Sequence, residues 1–176
     1  MSEVYLGNPN LKKANTPIEF TEEQVIEFLK CKDDPVYFAN NYIKIVSLDE
    51  GLTQFHPYHF QEKLINNFHA NRFNICKMPR QTGKSTTVVS YLLHYAVFND
   101  SVNIGILANK AATARELLGR LQTAYENLPK WMQQGIIAWN KGSMELENGS
   151  KILAASTSAS AVRGMSFNIL FLDEFA

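Results

Sequence analysis

The stretch MPRQTGKSTT, Met78 to Thr87, decides how this sequence is interpreted. It follows the apolar run Phe73–Met78 and precedes a helical pattern from Gly83 to Phe98, so we expect a loop between a strand and a helix. A chain of phosphates needs backbone N–H groups aimed at it, and the start of a helix supplies them. The residue types fit that chemistry and predict a phosphate-binding loop, or P-loop, at residues 79–86.

Individual residues of this loop have separate predicted roles. Gly83 removes a side chain where the backbone must approach phosphate, Lys84 can reach the β- and γ-phosphates, and Ser85 can offer a hydroxyl to Mg²⁺. The guanidinium of Arg80 could bridge γ-phosphate oxygens from within the same chain. ATP and Mg²⁺ are thus the predicted cofactors. The nucleotide-binding residues predicted in the loop are Pro79, Arg80, Gln81, Thr82, Gly83, Lys84, Ser85 and Thr86.

A second motif, ILFLDEF at Ile169–Phe175, carries two carboxylates directly after an apolar run. A run without polar residues is typical of a strand buried on both faces, and ligands bind at the carboxyl ends of parallel strands. We expect Asp173 to hold Mg²⁺ together with Ser85, and Glu174 to orient or deprotonate the attacking water. The predicted catalytic residues are therefore Glu174, Arg80 and Lys84, and the predicted metal-binding residues are Ser85 and Asp173.

Aromatic residues and a glutamine precede the loop by about 20 positions. An aromatic ring can stack on a base, and the Gln61 amide can both donate to and accept from an adenine edge. Phe60 and Gln61 are accordingly predicted to bind the base, although Phe55 and Phe60 could equally be core residues. Arg163 could face a neighbouring subunit's nucleotide or a DNA phosphate, or anchor its own loop.

The order of elements predicts an α/β fold. We expect a P-loop NTPase of the RecA/ASCE-like type: a mostly parallel sheet flanked by helices, incomplete at the C-terminus, with a helical N-terminal region. The predicted organisation is a flexible arm (1–18), a helical region (19–56) and a partial ATPase domain (57–176). Helix starts are expected at Thr21 and Asp34, and Asn148-Gly149 is a strong hairpin signal.

Composition excludes little. The net charge is zero and the pI about 6.9, so overall charge does not indicate nucleic acid. Cys31 and Cys76 have no metal-ligand spacing, and the four histidines lack a completing cysteine or carboxylate. No apolar stretch approaches the roughly 20 residues that a membrane span needs. These features favour a soluble cytoplasmic protein with reduced thiols.

Together the motifs resemble the large terminase subunits of tailed bacteriophages, of the myovirus type. PRQTGKST is similar to the deviant P-loop of that family, with an arginine in the loop and Met78 in place of the first glycine. HPYHFQEKLI resembles its adenine-recognition segment, and SAVRGMSFNILFLDEFA the approach to its acidic motif. The similarity runs from about Pro57 to Ala176. We therefore expect the N-terminal part only, without the family's coupling motif and nuclease domain.

The resemblance implies an ATPase that drives double-stranded DNA into an empty capsid. It implies docking at a portal protein, work with a small terminase subunit, a homo-oligomeric ring on the portal, and a location in the host cytoplasm with transient association to the capsid rather than in a membrane. It also implies roles for individual residues. Gln61 and Phe60 match the adenine-binding positions, Arg80 the cis arginine finger, Lys84 and Ser85 the P-loop pair, Asp173 the metal-linked aspartate, and Glu174 the catalytic carboxylate.

Two other interpretations stay open. A helicase-like translocase of the DExx type shares the upstream glutamine and the P-loop, but its acidic motif usually continues D-E-x-D or D-E-x-H. Here Asp173-Glu174 is followed by Phe175-Ala176, which favours the terminase. A non-catalytic fragment that needs a C-terminal partner would retain the loop residues and hydrolyse nothing alone.

Overall fold

The computed structural model describes residues 3–47, 49–158 and 164–174. After a short 3₁₀ turn at Tyr5–Gly7, its helices are α1 (Glu22–Asp33), α2 (Pro35–Tyr42), α3 (His59–Ala70), α4 (Lys84–Phe98) and α5 (Ala111–Glu126). Its strands are β1 (Lys44–Ser47), β2 (Gly51–Gln54), β3 (Asn103–Ala108), β4 (Ile136–Trp139), β5 (Ser143–Leu146), β6 (Lys151–Ser156) and β7 (Ile169–Asp173). None of these helices is long and apolar enough to cross a membrane.

The starts of α1 and α2 follow from local side-chain chemistry. Thr21 Oγ1 accepts a hydrogen bond from Gln24 N at 3.2 Å, and Gln24 Oε1 accepts one from Thr21 N at 3.1 Å. Asp34 Oδ1 accepts from the backbone N–H groups of Val36 and Tyr37, both at 2.9 Å. Each cap satisfies donors that the helix itself cannot pair, so both predicted helix starts are confirmed.

The main sheet has five strands in the order β4-β5-β6-β3-β7. β3 pairs in parallel with β6 and β7, whereas β5 pairs antiparallel with β4 and β6. The predicted hairpin at Asn148-Gly149 is confirmed between β5 and β6, where Gly149 has φ 81°. The sheet is nevertheless mixed rather than mostly parallel, because the unpredicted β4 and the β5–β6 hairpin add antiparallel pairs.

Helix α4 lies among other helices and is buried along most of its length. It packs against α2, α3 and α5, and α5 in turn packs on β3 and β6. The predicted apolar face of α5 is confirmed: its buried residues are Ala114, Leu117, Leu118, Leu121, Ala124 and Tyr125. The first turn of α4, which follows the predicted phosphate loop, is therefore held by a helix that packing fixes on several sides.

Two apolar segments that the sequence predicts as strands are partly in solvent. Residues 73–79 form neither strand nor helix, and Phe73 and Ile75 are 82% and 101% exposed. β7 forms, but it lies at an edge of the sheet, and its Leu170 and Leu172 are 48% and 38% exposed. A strand needs a neighbour for its N–H and C=O groups, and no described strand pairs with residues 73–78 or with the outer edge of β7. The strand predicted at Phe73–Met78 is thus wrong for the described structure, and so is burial of β7 on both faces.

The N-terminal regions also differ from expectation. Residues 3–16 are attached to the sheet rather than loose: Lys12 Nζ lies 2.9 Å from Glu147 Oε1, and Glu147 Oε2 accepts from Asn15 N at 2.9 Å. Leu11 is 1% exposed. The segment 19–56, expected to be helical, ends in the antiparallel pair β1–β2. The partner of Lys12 and Asn15 lies more than 130 positions along the chain, so local composition did not reveal it.

Candidate functional site

The loop that precedes α4 has the backbone shape of an anion cradle. Gln81 and Gly83 both have left-handed backbones, with φ of 61° and 72°. Thr82 Oγ1 donates to Pro79 O at 3.0 Å and closes the turn. Left-handed residues within a tight turn aim successive backbone N–H groups into one concavity, which is the arrangement that binds phosphate. That conformation is strained for a non-glycine residue such as Gln81, and such strain concentrates at functional sites.

The first turn of α4 leaves its positive end open. Gly83 is the residue that caps the helix, no side chain caps it, and the first turn contains no acidic residue. Thr87 binds back to Gly83 O through both its backbone N and its Oγ1, each at 3.0 Å. Unpaired N–H groups and the helix dipole therefore face the loop and favour an anion there.

Two cations of the predicted set stand beside this helix end. Arg80 is exposed and Lys84 is half-buried, and neither forms an ion pair with a carboxylate among the described residues. Burial raises the pKa of the Cys76 thiol, and the charge of nearby Lys84 opposes that rise. Thr82, Ser85 and Thr86 are half-buried, while Pro79 and Gln81 are exposed. The structure thus gathers the predicted loop residues around one uncapped helix start.

Gln61, which lies in α3, is hydrogen-bonded to the loop. Its side chain is buried, with 3% exposure; Nε2 donates to Thr82 O at 3.1 Å and Oε1 accepts from Tyr58 N at 2.8 Å. A Cβ added at Gly83 would lie 2.5 Å from Gln61 Nε2. Position 83 therefore requires glycine for two reasons: its left-handed backbone and the close approach of Gln61.

The structure distinguishes the two phenylalanines that the sequence could assign either to the core or to base binding. Phe55 is a core residue with 5% exposure, whereas Phe60 is 45% exposed. The Phe60 ring stacks beside Tyr58, which is 71% exposed, with ring centroids 5.9 Å apart and planes 10° from parallel. Tyr58 was not among the predicted site residues, although it caps α3 close to two predicted base-binding residues.

The predicted carboxylates lie at the carboxyl end of β7. Asp173 pairs with Ala108 of β3, is 8% exposed, and has no side-chain partner among the described residues. Glu174 is exposed and has a left-handed φ of 49°. A buried carboxylate without a hydrogen-bond donor suits a hard cation such as Mg²⁺. Among the described residues no three histidine, cysteine or acidic side chains cluster as a metal site, so solvent or a ligand would have to complete the coordination.

Two cavities border parts of the predicted site, and neither of them contains both the loop and the carboxylates. The cavity beside Asp173, about 180 Å³, is lined by Ala108, Asn109, Lys110, Thr113, Asp173 and Glu174. A larger cleft of about 710 Å³ between β1, α4 and α5 contains only Thr86 from the predicted site. Asn109, Lys110 and Thr113 were missed, although applying the strand-end rule to β3 would have found them.

One predicted residue cannot be placed. Arg163 lies outside the described residues, so neither role considered for it is tested. Gly164, which follows it, is exposed with φ 81°. Of the four histidines, His59 contacts Glu62 at 3.5 Å, and His94 is buried in the helical core.

Comparison with known proteins supplies the family. Residues 75–176, more than half of the chain, match the family described as terminase large subunit, T4likevirus-type, N-terminal. The fold is similar to that of the HK97 bacteriophage large terminase, with a TM-score of 0.65 and 17% sequence identity. That match covers 80% of this chain and 30% of the HK97 protein, so this chain corresponds to under a third of that terminase. The chain therefore belongs to the T4-like large terminase family, and its matched residues represent the N-terminal region of that family.

Proposed function

We propose that this chain is the ATP-binding part of a DNA-packaging motor, with the P-loop NTPase fold. The observation that carries the proposal is the loop before α4: two left-handed residues, an uncapped helix start, and two cations without carboxylate partners. These features favour an anion with several adjacent phosphates. Membership of the large terminase family supports ATP as the ligand and packaging of double-stranded DNA as the purpose.

Each residue of the site has a proposed task. The N–H groups at the start of α4 and the Lys84 ammonium hold the β- and γ-phosphates, and Arg80 stabilises charge that develops on the γ-phosphate. Ser85 and Asp173 hold Mg²⁺, which neutralises phosphate charge when bound. Glu174 accepts a proton from, or orients, the attacking water. In that reaction water bonds to the γ-phosphorus, and the bond to the β,γ-bridging oxygen breaks to give ADP and phosphate.

We further propose that the isolated chain binds nucleotide better than it hydrolyses it. The observation that supports this is that the cavity beside Asp173 contains no loop residue. The non-catalytic interpretation is therefore retained in a narrower form: the isolated chain binds nucleotide but hydrolyses it poorly. The family match does not favour the DExx helicase alternative.

Partners follow from family membership and are proposals here. Large terminases work with a portal protein and a small terminase subunit, and we propose both as partners, together with assembly into a homo-oligomeric ring on the portal. The host cytoplasm, with transient attachment to the capsid, is the proposed location.

The test is a titration of the chain with Mg-ATP in three forms: wild type, Lys84→Ala, and Lys77→Ala as a matched control. Lys77 is an exposed lysine in the irregular segment before the loop. We expect Lys84→Ala to weaken binding by at least about 100-fold, since it removes the half-buried ammonium that is proposed to contact phosphate. Lys77→Ala should stay within about twofold. Equal affinities for all three forms would refute the loop as the nucleotide site.

Turnover is measured on the same samples. We expect hydrolysis by the isolated wild-type chain to be slow, and Glu174→Gln to abolish what remains while leaving binding intact. A rate of about 1 s⁻¹ or more, ordinary for enzymes, would contradict the proposed separation of loop and carboxylates.

A further inference from the structure

The two edges of the five-stranded sheet differ in what covers them. The β4 edge is covered by the N-terminal residues: Ile136 N donates to Lys12 O at 2.9 Å, and Ala14 N donates to Ile136 O at 3.3 Å. The ion pair between Lys12 and Glu147 holds this cover in place. The outer edge of β7 has no strand beside it among the described residues. One edge is thus paired within the chain, whereas the other leaves N–H and C=O groups free to bind a further strand.

β7 lacks the features that usually protect an edge strand. Natural sheet edges often carry lysine, proline or a bulge, each of which hinders pairing with another chain. The residues Ile169–Leu172 contain no charge and no proline. The pairing of β7 with β3 is regular from Ile169 to Asp173, without a bulge. The outer edge of β7 is therefore an apolar and regular template for strand addition.

Two leucines of β7 lie on one face of the sheet and remain in solvent. Leu170 is 48% exposed and Leu172 38% exposed, whereas Ile169 and Phe171 point to the opposite face and pack against the core. The Leu170 side chain lies over Gly105 of β3, where an added Cβ would be 2.8 Å from Leu170 Cδ1. Its own sheet thus contacts these leucines from one side only. The outer edge of β7 with Leu170 and Leu172 is defined here as the leucine edge.

From these observations we propose that the leucine edge binds β7 of a second copy of this chain, antiparallel and centred on Phe171, so that the two sheets join. In this register Leu170 faces Leu172 of the second copy, and the leucines of both copies form one apolar cluster. Asp173 faces Ile169 of the second copy, so no like charges are opposed. A shift by one residue would place the exposed leucines opposite residues that face the core.

This self-complementarity favours a second copy over an unrelated strand. The contact uses the same surface of both copies, so it closes with two chains. It is therefore distinct from the ring proposed on the portal, and it does not rest on the proposed nucleotide site. Because each strand contributes only five residues, the interface is small, and we expect a dissociation constant of about 10–100 μM.

The first experiment measures the mass of the whole chain by analytical ultracentrifugation over a range of concentrations. Wild type should pass from 19.9 kDa to twice that mass as the concentration rises. Leu170→Lys places a charge in the leucine cluster and should raise the dissociation constant at least about tenfold. Leu52→Lys is the matched control, because Leu52 is 50% exposed but lies in the separate β1–β2 sheet. This control should dimerise like wild type.

The second experiment tests the register by disulfide crosslinking under mild oxidation. Leu170→Cys mixed with Leu172→Cys should crosslink quickly, because facing Cα atoms of an antiparallel pair are about 4.5–5.5 Å apart, a distance that a disulfide spans. Each variant alone should crosslink slowly, since its cysteines would be diagonal neighbours about 7–8 Å apart. Wild type, with its own thiols Cys31 and Cys76, measures the background.

Three outcomes would overturn the inference, and thermal unfolding of each variant checks that it is folded. The first is a wild-type chain that stays at 19.9 kDa at about ten times the expected dissociation constant. The second is a Leu170→Lys chain that dimerises like wild type. The third is faster crosslinking of Leu170→Cys with itself than with Leu172→Cys, which would exclude the antiparallel register. None of these results bears on the titrations with Mg-ATP, so the proposed function stands or fails separately.

Discussion

Helices α4 and α5 both begin without a side-chain cap and without an acidic residue in the first turn, yet their starts face different surroundings. The start of α4 follows two left-handed residues and carries Arg80 and Lys84. The start of α5 follows Lys110, whose backbone is extended, and shares a cavity with Asp173 and Glu174. Both helix ends are positive, so the dipole does not distinguish them. The loop conformation and the adjacent charges do, and on these grounds the start of α4 is the proposed phosphate site, whereas the start of α5 borders the carboxylates.

Lowering the pH should have the largest effect on stability, and that effect should arise in α4 rather than α5, because α4 carries the buried His94. Burial lowers the pKa of His94 to about 4, opposed by its hydrogen bond to Cys31 O; His69 lowers it further and Asp34 raises it. The folded pKa lies below the unfolded value of about 6.5, so the unfolded chain binds the proton more readily in between. Stability is therefore complete above about pH 6.5 and falls toward pH 4, by about 3 kcal/mol.

The measurement is chemical unfolding of wild type and His94→Gln between pH 4 and 7.5. Glutamine keeps a donor for Cys31 O and does not titrate, so its stability should change less across this range. Carboxylates titrate in both proteins and cancel in the comparison. Parallel pH profiles for the two proteins would show that His94 does not cause the acid sensitivity.

Adding one methyl group to each helix region should have opposite effects. Gly83→Ala places a Cβ in a left-handed backbone and against Gln61, so we expect a loss of about 1–2 kcal/mol and a large loss of ATP affinity. Gly119→Ala, inside α5, meets nothing within 4 Å and should stabilise the protein by about 0.5–1 kcal/mol without changing ATP binding. Unfolding and titration test both. A Gly83→Ala chain that binds ATP normally would show that the loop shape is not needed.

These glycines also show how far the sequence alone could lead. Features set by neighbours along the chain were predictable: the caps at Thr21 and Asp34, the turn at Asn148-Gly149, and the glycine before Lys84. Features that depend on distant partners were not. The apolar pattern of Phe73–Met78 predicts a strand, but a strand needs a pairing neighbour. Likewise, nothing near Lys12 in sequence indicates Glu147, and nothing near Gln61 indicates Thr82.

The smallest expected effect concerns the carboxylate side of the comparison. Asp173→Asn should leave ATP affinity in EDTA unchanged, because the loop does not share the cavity that contains Asp173. With Mg²⁺ present, the affinity should fall by up to about tenfold, since the ion loses one of its supporting groups. Titrations with and without Mg²⁺ check this. An equal loss in EDTA would mean that Asp173 supports the loop itself.

The most direct test of the central claim compares the two helix starts in one experiment. The ¹⁵N-labelled chain is titrated with tripolyphosphate in the absence of Mg²⁺, which removes the contribution of Asp173, and backbone amide shifts are followed by NMR. We expect large, saturable shifts at Gly83, Lys84 and Ser85, and small ones at Ala111 and Ala112. Saturable shifts at the start of α5, with none at the start of α4, would contradict the account.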